Sequence, residues 1–292
     1  MKQEIEKMLP GVKRDFPLAG LTTLGIGGQA DWFYQASNNQ GVIEAIGYCR
    51  TNNLPFFVLG SGSNLLIADN GFNGMVIKMA NDHFKVDESK VTVESGISLS
   101  ALSDKTADLG LSGLEFTAGI PGTLGGAVFG NVGTGEEWIG SLVEKVEVLD
   151  KSQQIKIVLN KDCDFTYRQS RFQKSGEIIL TVFLNLRGEE SSQIKKGVES
   201  FLAKRELQPK GKSSGSIFKN PDGYKAGQLI EECGLKGKQI GQAQISPDHG
   251  NWIINLGGAK AKDVLELIRV ARQEVKQKFK IDLQLEIKLL NL

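Results

Sequence analysis

The chain has 292 residues, 40% hydrophobic and 24% charged, the balance of a globular protein with a sizeable core, which excludes a disordered chain. Lys and Arg number 35 against 34 Asp and Glu, a formal charge of +1 that excludes a broad basic surface for nucleic acid or anionic lipid, so any anion must be met locally. At roughly 150 residues per domain the length predicts two domains. In chain order, 31–36 reads as a strand, 42–52 as a helix and 56–59 as a strand. After the glycine-rich loop 60–64 come strands at 65–67, 75–77 and 91–94, then a helix over 99–109 and a second glycine-rich run at 119–126. Strands are predicted near 143–149, 155–159 and 178–186. Ile194, Val198, Phe201 and Leu202 then recur at helical spacing, and the helix stops before Pro209. Residues 210–216 read as polar and flexible. Val264, Ile268, Ala271, Val275 and Phe279 make one face of a helix, and over 281–289 apolar and polar residues alternate as in a half-buried strand.

Several chemistries are missing. Cys49, Cys163 and Cys233 are odd in number and far apart, so no disulfide framework is expected and a reducing compartment fits best. The first fifteen residues lack the apolar core of a secretory signal, and no run reaches the ~18 apolar residues of a membrane span, so a cytoplasmic location without a membrane partner is expected. The only histidines, His83 and His249, are not at metal-site spacing with cysteines or carboxylates; no metal is expected. Neither Gly25-Ile26-Gly27-Gly28 nor the 60–64 loop extends to the dinucleotide fingerprint, and Gly211-Lys212-Ser213 lacks the upstream glycine of a P-loop. Gly211–Gly215 fits G-x-S-x-G, but a nucleophile elbow needs a strand before it and a helix after it.

What remains is concentrated in five places. Gly60, Ser61, Gly62, Ser63 and Asn64 form one loop, and Gly119, Ile120, Pro121, Gly122, Thr123, Gly125 and Gly126 belong to the other. A single loop of this kind reads as a tight turn; two together read as backbone nests for phosphates, with Ser63, Asn64 and Thr123 adding polar donors. Tyr167 and Arg168 stand among two arginines and two aromatics, where a guanidinium is either a surface charge or a bidentate partner for carboxylate or phosphate. Residues 213–221 pack hydroxyls, the Lys219 ammonium and the Asn220 amide around a turn, which is either a linker or a loop that positions small polar groups. Glu286 falls on the polar face of the last strand, where a carboxylate is ordinarily just solvated.

Taken in order, these segments resemble the UDP-N-acetylenolpyruvoylglucosamine reductase family over nearly the whole chain. The matching motifs are T-x-G-I-G-G at 23–28, L-G-x-G-S-N-L-L at 59–66, G-L-E-F…G-I-P-G…G-G-A at 113–127, Y-R-x-S at 167–170, G-S-x-F-K-N-P at 215–221 and the terminal Leu285-Glu286-Ile287-Lys288. The chain departs from the family pattern at 131–136, where N-A-G-A-Y-G is usual, and at Trp252 and Asn291; lacking a long tyrosine-bearing insertion, it resembles the shorter subgroup. The resemblance implies an α+β protein with an FAD-binding fold of the vanillyl-alcohol-oxidase (PCMH) type over 1–190, in subdomains of about 1–55 and 56–190, and a C-terminal α+β substrate-binding domain over 191–292. It also implies non-covalent FAD, NADPH as co-substrate, and reduction of UDP-N-acetylglucosamine enolpyruvate to UDP-N-acetylmuramate in peptidoglycan precursor synthesis. Its implied catalytic residues are Arg168, Ser216 and Glu286, with Tyr167, Lys219 and Asn220 on the substrate. A monomer is expected. Two rival readings are an FAD-linked oxidoreductase of the same fold on another substrate and a non-catalytic nucleotide-binding module.

Overall fold

A computed structural model describes residues 2–135 and 137–292. The chain forms two compact units that interleave in sequence: the first takes 1–13, 32–61 and 74–206, the second 14–31, 62–73 and 207–292.

Among the described residues the first unit holds two larger sheets beside two two-stranded ones. In one, the strands Gln29–Ala36, Phe72–Met79 and Phe56–Leu59 follow in that order, the last two parallel. Helix α1 (Lys2–Met8) and helix α2 (Asn39–Thr51) supply much of the core around it: Ile5, Val42, Ile46 and Cys49 are buried with Met75 and Ile77. Helix α2 starts at Asn38 because the side-chain oxygen accepts from Gly41 N–H (2.8 Å), satisfying one of the first-turn donors a helix cannot pair itself. The second sheet is antiparallel, in the order Ile155–Leu159, Val143–Leu149, Ile178–Asn185, Lys90–Glu94, Phe84–Asp87. Alternate residues Val91, Val93, Val146, Val148 and Val182 turn to one face and are buried with residues of α3 (Leu99–Asp108) and α4 (Leu124–Gly130). The short α5 (Phe172–Ser175) buries Phe172 in the same core.

Helix α6 (Ser191–Glu206) belongs to the first unit, although the domain boundary expected at 190/191 opens the second domain with it. The reason lies in its contacts: Ile194 is buried, the Ser191 hydroxyl donates to Ala107 O (2.7 Å), and the Arg205 guanidinium donates to Ala118 O (2.8 Å). Periodicity shows that a helix exists, not which core takes its face.

In the second unit, the antiparallel strands Lys212–Ser216, Trp252–Asn255, Ala243–Ile245 and Gln239–Ile240 form a sheet in that order. Helices α7 (Ala226–Glu232) and α8 (Ala261–Phe279) share its core, where Val264, Leu267, Ala271 and Val275 of α8 are buried with Ile245, Ile253 and Leu283. Asp69 caps α8, accepting from Ala261 N–H at 2.8 Å. Residues 212–216, read as flexible, are thus a strand. Its polar side chains hide the strand signal, but Ser213 and Lys212 pair with Ile254 and Asn255 in a regular ladder. Conversely, the strand expected over 281–289 shrinks to Lys288–Leu290, parallel to Leu65–Ile67. The alternation does predict burial as far as Ile287, but the backbone of 284–287 is used for isolated bonds to a loop, and the phase then slips so that Leu289 is exposed and Leu290 buried.

Candidate active site

In the first unit the two glycine loops come together. An ideal Cβ on Gly60 would stand 2.7 Å from Thr123 Oγ1, closer than a real side chain allows, so the missing side chain is what lets the bends touch. The Gly60 carbonyl also accepts from the Lys78 ammonium. Burial holds the pKa of that ammonium below its usual value, since the charged form loses hydration. Thr123 is buried and caps α4, its hydroxyl accepting from Gly126 N–H at 3.2 Å. Around it, Leu124 and Gly125 N–H donate to Ile97 and Ser95 carbonyls, and Leu99 N–H donates to Gly122 O. The N–H groups of Gly122 and Thr123 donate to no protein acceptor among the described residues. Gly119 is left-handed at φ +68°, where a Cβ would stand 2.8 Å from the Arg205 side chain.

Tyr167 and Arg168 occupy a two-residue turn closed by reciprocal backbone bonds between Thr166 and Gln169 at 3.2 and 3.1 Å. Arg168 sits at φ +54°, a conformation that costs a non-glycine residue about 1–2 kcal/mol. Its surroundings fix it there. The guanidinium donates to Gly133 O (3.0 Å) and lies 5.5 Å from the ring centres of both Trp138 and Tyr167, which meet edge to face. Asn131, in the segment that departs from the family pattern, donates to Thr166 O (2.9 Å) and accepts from Gly140 N–H (3.0 Å); Glu136 of that segment lies outside the described residues. Ser170 completes the motif by donating to Phe129 O (2.7 Å).

The second unit gathers a different set. The strand carrying Ser216 is bulged: Ser213 pairs with Ile254 and Ser216 with Trp252, leaving an extra residue accommodated by Gly215 at φ +74°. Such a bulge re-aims the side chain that follows it. Ile217 O then accepts from Glu286 N–H (2.8 Å) and Ile287 N–H (3.3 Å), while Lys219 N–H donates to Gln284 O (2.8 Å). Asn64 joins from the glycine loop, donating to Glu286 O (3.0 Å) and accepting from Lys288 N–H (3.1 Å). Gly62 of the same loop stands at φ +63°, with a Cβ position only 2.1 Å from Leu21 O, so a side chain there would collide with the backbone of Leu21. Gly62 and Ser63 N–H donate to no protein acceptor among the described residues. Asn220 is partly structural, its oxygen accepting from Ala226 N–H (3.0 Å) at the start of α7.

Thus Gly60 meets the 119–126 loop in the first unit, which also holds Ser61, Tyr167 and Arg168; Gly62, Ser63, Asn64, Ser216, Lys219, Asn220 and Glu286 lie in the second. Three neighbours escape the sequence reading. Lys78 has a signal, a lone ammonium in an otherwise buried apolar strand. Lys288 has none beyond its place beside Glu286; burial first, and the Lys219 charge second, hold its pKa below the usual value. Trp138 is thirty positions from Arg168 and nothing in the sequence connects them. No group of three or more His, Cys, Asp or Glu among the described residues is placed to hold a metal ion, and no helix is long and apolar enough to cross a membrane.

Comparison with known proteins gives the family. Residues 30–156 match the FAD binding domain family, and 208–290 match the C-terminal domain of UDP-N-acetylenolpyruvoylglucosamine reductase. The curated reductase of that name from Caldanaerobacter subterraneus is 41% identical over 276 residues, covering 94% of this chain and 91% of the relative. The chain belongs to the UDP-N-acetylenolpyruvoylglucosamine reductase family. The corresponding reductase from Clostridium botulinum is 39% identical over 279 residues, again covering 94% of this chain and 91% of the relative. The crystal structure of the Thermus caldophilus reductase superposes with a TM-score of 0.82 at 38% identity, covering 96% of this chain and 98% of that one. The α+β class and FAD-binding fold expected from the sequence hold. As a member of this reductase family the chain is an oxidoreductase, which sets aside the non-catalytic module.

The loops fit the flavin nucleotide that the family match implies. The Gly122 and Thr123 amides, which donate to no protein acceptor among the described residues, are backbone donors of the kind a diphosphate accepts from.

Proposed function

We propose that this reductase converts UDP-N-acetylglucosamine enolpyruvate to UDP-N-acetylmuramate with NADPH, through non-covalently bound FAD, in the cytoplasmic synthesis of peptidoglycan precursors. It works as a monomer, without nucleic acid or membrane. Gly60–Asn64 and Gly119–Gly126 hold the cofactor, which when bound supplies hydride transfer between the nicotinamide and the enolpyruvyl double bond.

The chain's own residues handle the charge and the proton. Hydride addition to the terminal alkene carbon drives negative charge onto the neighbouring carbon and its carboxylate, so a preorganised donor aimed there lowers the barrier. Arg168 fills that role through its bidentate fork, with its strained turn and two flanking rings holding it ready. Ser216 delivers the proton that quenches the charge, and Lys219, three residues on, favours the resulting alkoxide. Glu286 polarises the substrate carboxylate from the opposite side, with its own charge neutralised by a proton or by a paired cation, since a free carboxylate would repel the developing charge. Tyr167 and Asn220 contact the nucleotide sugar.

The observation that carries the reading is the bond from Glu286 N–H to Ile217 O at 2.8 Å, which brings the segments bearing Ser216, Lys219 and Glu286 side by side from sequence positions 70 apart. A visible spectrum of the purified protein followed by anaerobic NADPH tests it. Flavin absorbance should bleach, then return on adding the enolpyruvyl nucleotide. Absence of flavin, or recovery without that nucleotide, overturns the proposal.

A further inference from the structure

A proton donor at Ser216 is only as well placed as the segment that carries it, and the two positions after Ser216 are held by Asn251. The Asn251 side chain is 4% exposed and behaves like a piece of neighbouring strand: its Oδ1 accepts from Phe218 N–H at 2.9 Å and its Nδ2 donates to Phe218 O at 2.8 Å. Its main-chain carbonyl accepts from Ile217 N–H at 2.9 Å. Three bonds from one residue therefore fix the two positions that follow Ser216. The orientation of the amide is settled by its partners, because reversing it would set oxygen against oxygen and N–H against N–H. No other side chain substitutes. Aspartate offers no donor to Phe218 O, alanine leaves two buried backbone groups unpaired, and glutamine is a methylene too long.

Asn251 is itself held. Its N–H donates to His249 Nδ1 at 3.1 Å. That ring lies against Gly227 of α7, where a Cβ would stand 2.6 Å from His249 Cε1, and its centroid is 6.5 Å from that of Trp252, the ladder partner of Ser216. On its other side the Ser216 segment is secured by the Ile217 carbonyl on Glu286 N–H. The loop is thus gripped from both flanks, one of them catalytic.

We infer that Asn251 is a positioning residue that sets the Ser216 hydroxyl for proton delivery, acting through the backbone of Ile217 and Phe218. The inference rests on the role of Ser216 proposed above. Displacing a reacting group by about an ångström costs on the order of 100-fold in rate, so losing the clamp should act on the step that uses Ser216 and spare the step that does not.

The test is stopped-flow kinetics of both half-reactions in flavin-loaded, full-length Asn251→Asp. Flavin reduction by NADPH should stay within about 3-fold of wild type while reoxidation by the enolpyruvyl nucleotide falls about 30- to 100-fold. Adding Asn251→Asp to Ser216→Ala should slow reoxidation no further, because the clamp then positions nothing. An equal fall in both half-reactions, or full additivity with Ser216→Ala, overturns the inference. Ser216→Ala failing to slow reoxidation selectively would instead remove the reading on which it rests. If Asn251→Asp does not yield folded holoenzyme, His249→Ala supplies the readout: a selective reoxidation loss of about 3- to 10-fold that vanishes in the Ser216→Ala background supports the clamp, and equal or additive losses sink it.

Discussion

The Thr123 hydroxyl occupies space that a side chain on Gly60 would need, 2.7 Å from where that Cβ would stand. Two bends 63 positions apart in sequence, at Gly60 and Thr123, are thereby pressed together. Gly60→Ala should force them apart and lower FAD affinity at least about 10-fold, equivalent to about 1.4 kcal/mol. Thr123→Ala in the same chain should recover part of the loss, though it also removes the cap on α4. The ratio of flavin to protein absorbance after dialysis measures both; full flavin retention by Gly60→Ala would contradict the contact.

Arg168→Lys keeps the charge and loses the planar fork. With its donation to Gly133 O and its two flanking rings also weakened, the expected result is normal flavin reduction by NADPH and reoxidation slowed about 100-fold, or about 2.7 kcal/mol of barrier. Unchanged reoxidation would remove Arg168 from the proposed set.

Ser216→Ala should leave flavin reduction fast and slow reoxidation by about 100- to 10,000-fold, the range over which a positioned general acid contributes. Equal loss in the two half-reactions would argue against proton delivery.

Asp150 gives a pH dependence. The turn between the strands 143–149 and 155–159 is tied by its carboxylate, which accepts from Lys156 Nζ (2.6 Å), Ser152 N–H (2.8 Å) and Gln154 N–H (2.9 Å). The Lys156 bond foremost, then the backbone donors, hold its pKa below the ordinary value. The unfolded chain therefore binds the proton more readily, and the stabilisation is complete above the unfolded pKa of about 3.9 and lost as pH falls through the folded value. Thermal unfolding from pH 6 downward should show Asp150→Asn losing less of its Tm than wild type below about pH 4. Parallel curves would refute the assignment.

Thiol reactivity should sort by burial. Burial pushes Cys49 up to about 12 and, against the opposing charge of Arg171, Cys163 up to about 11; both are inaccessible, whereas Cys233 is half-buried. At pH 8 a disulfide reagent should label Cys233 first, with the other two reacting only on unfolding. Rapid labelling of Cys49 in the native protein would show that its core opens.

Much of the fold is legible because its signals are local. The 261–279 helix declares itself through Val264, Ile268, Ala271 and Val275, all buried, and the valines of the antiparallel sheet alternate as a strand requires. The proposed site residues come from motifs, through the resemblance rather than through their chemistry: a serine, an arginine and a glutamate carry no sign of a shared role when they lie 48 and 70 positions apart. The polar run 212–216 misleads because a strand made of Lys, Ser and Gly is specified by the ladder it joins, not by its own propensity.

By itself the sequence determined the period of the long C-terminal helix and of the apolar strands, and the places where glycine bends the chain, all of which depend on neighbours a few residues away. Tertiary structure alone decided that Thr123 fills the space beside Gly60, that the last segment gives its N–H groups to Ile217 instead of extending a sheet, and that α6 joins the first unit. Those outcomes turn on buried hydrogen bonds and close contacts between distant segments, whose energies no local pattern encodes.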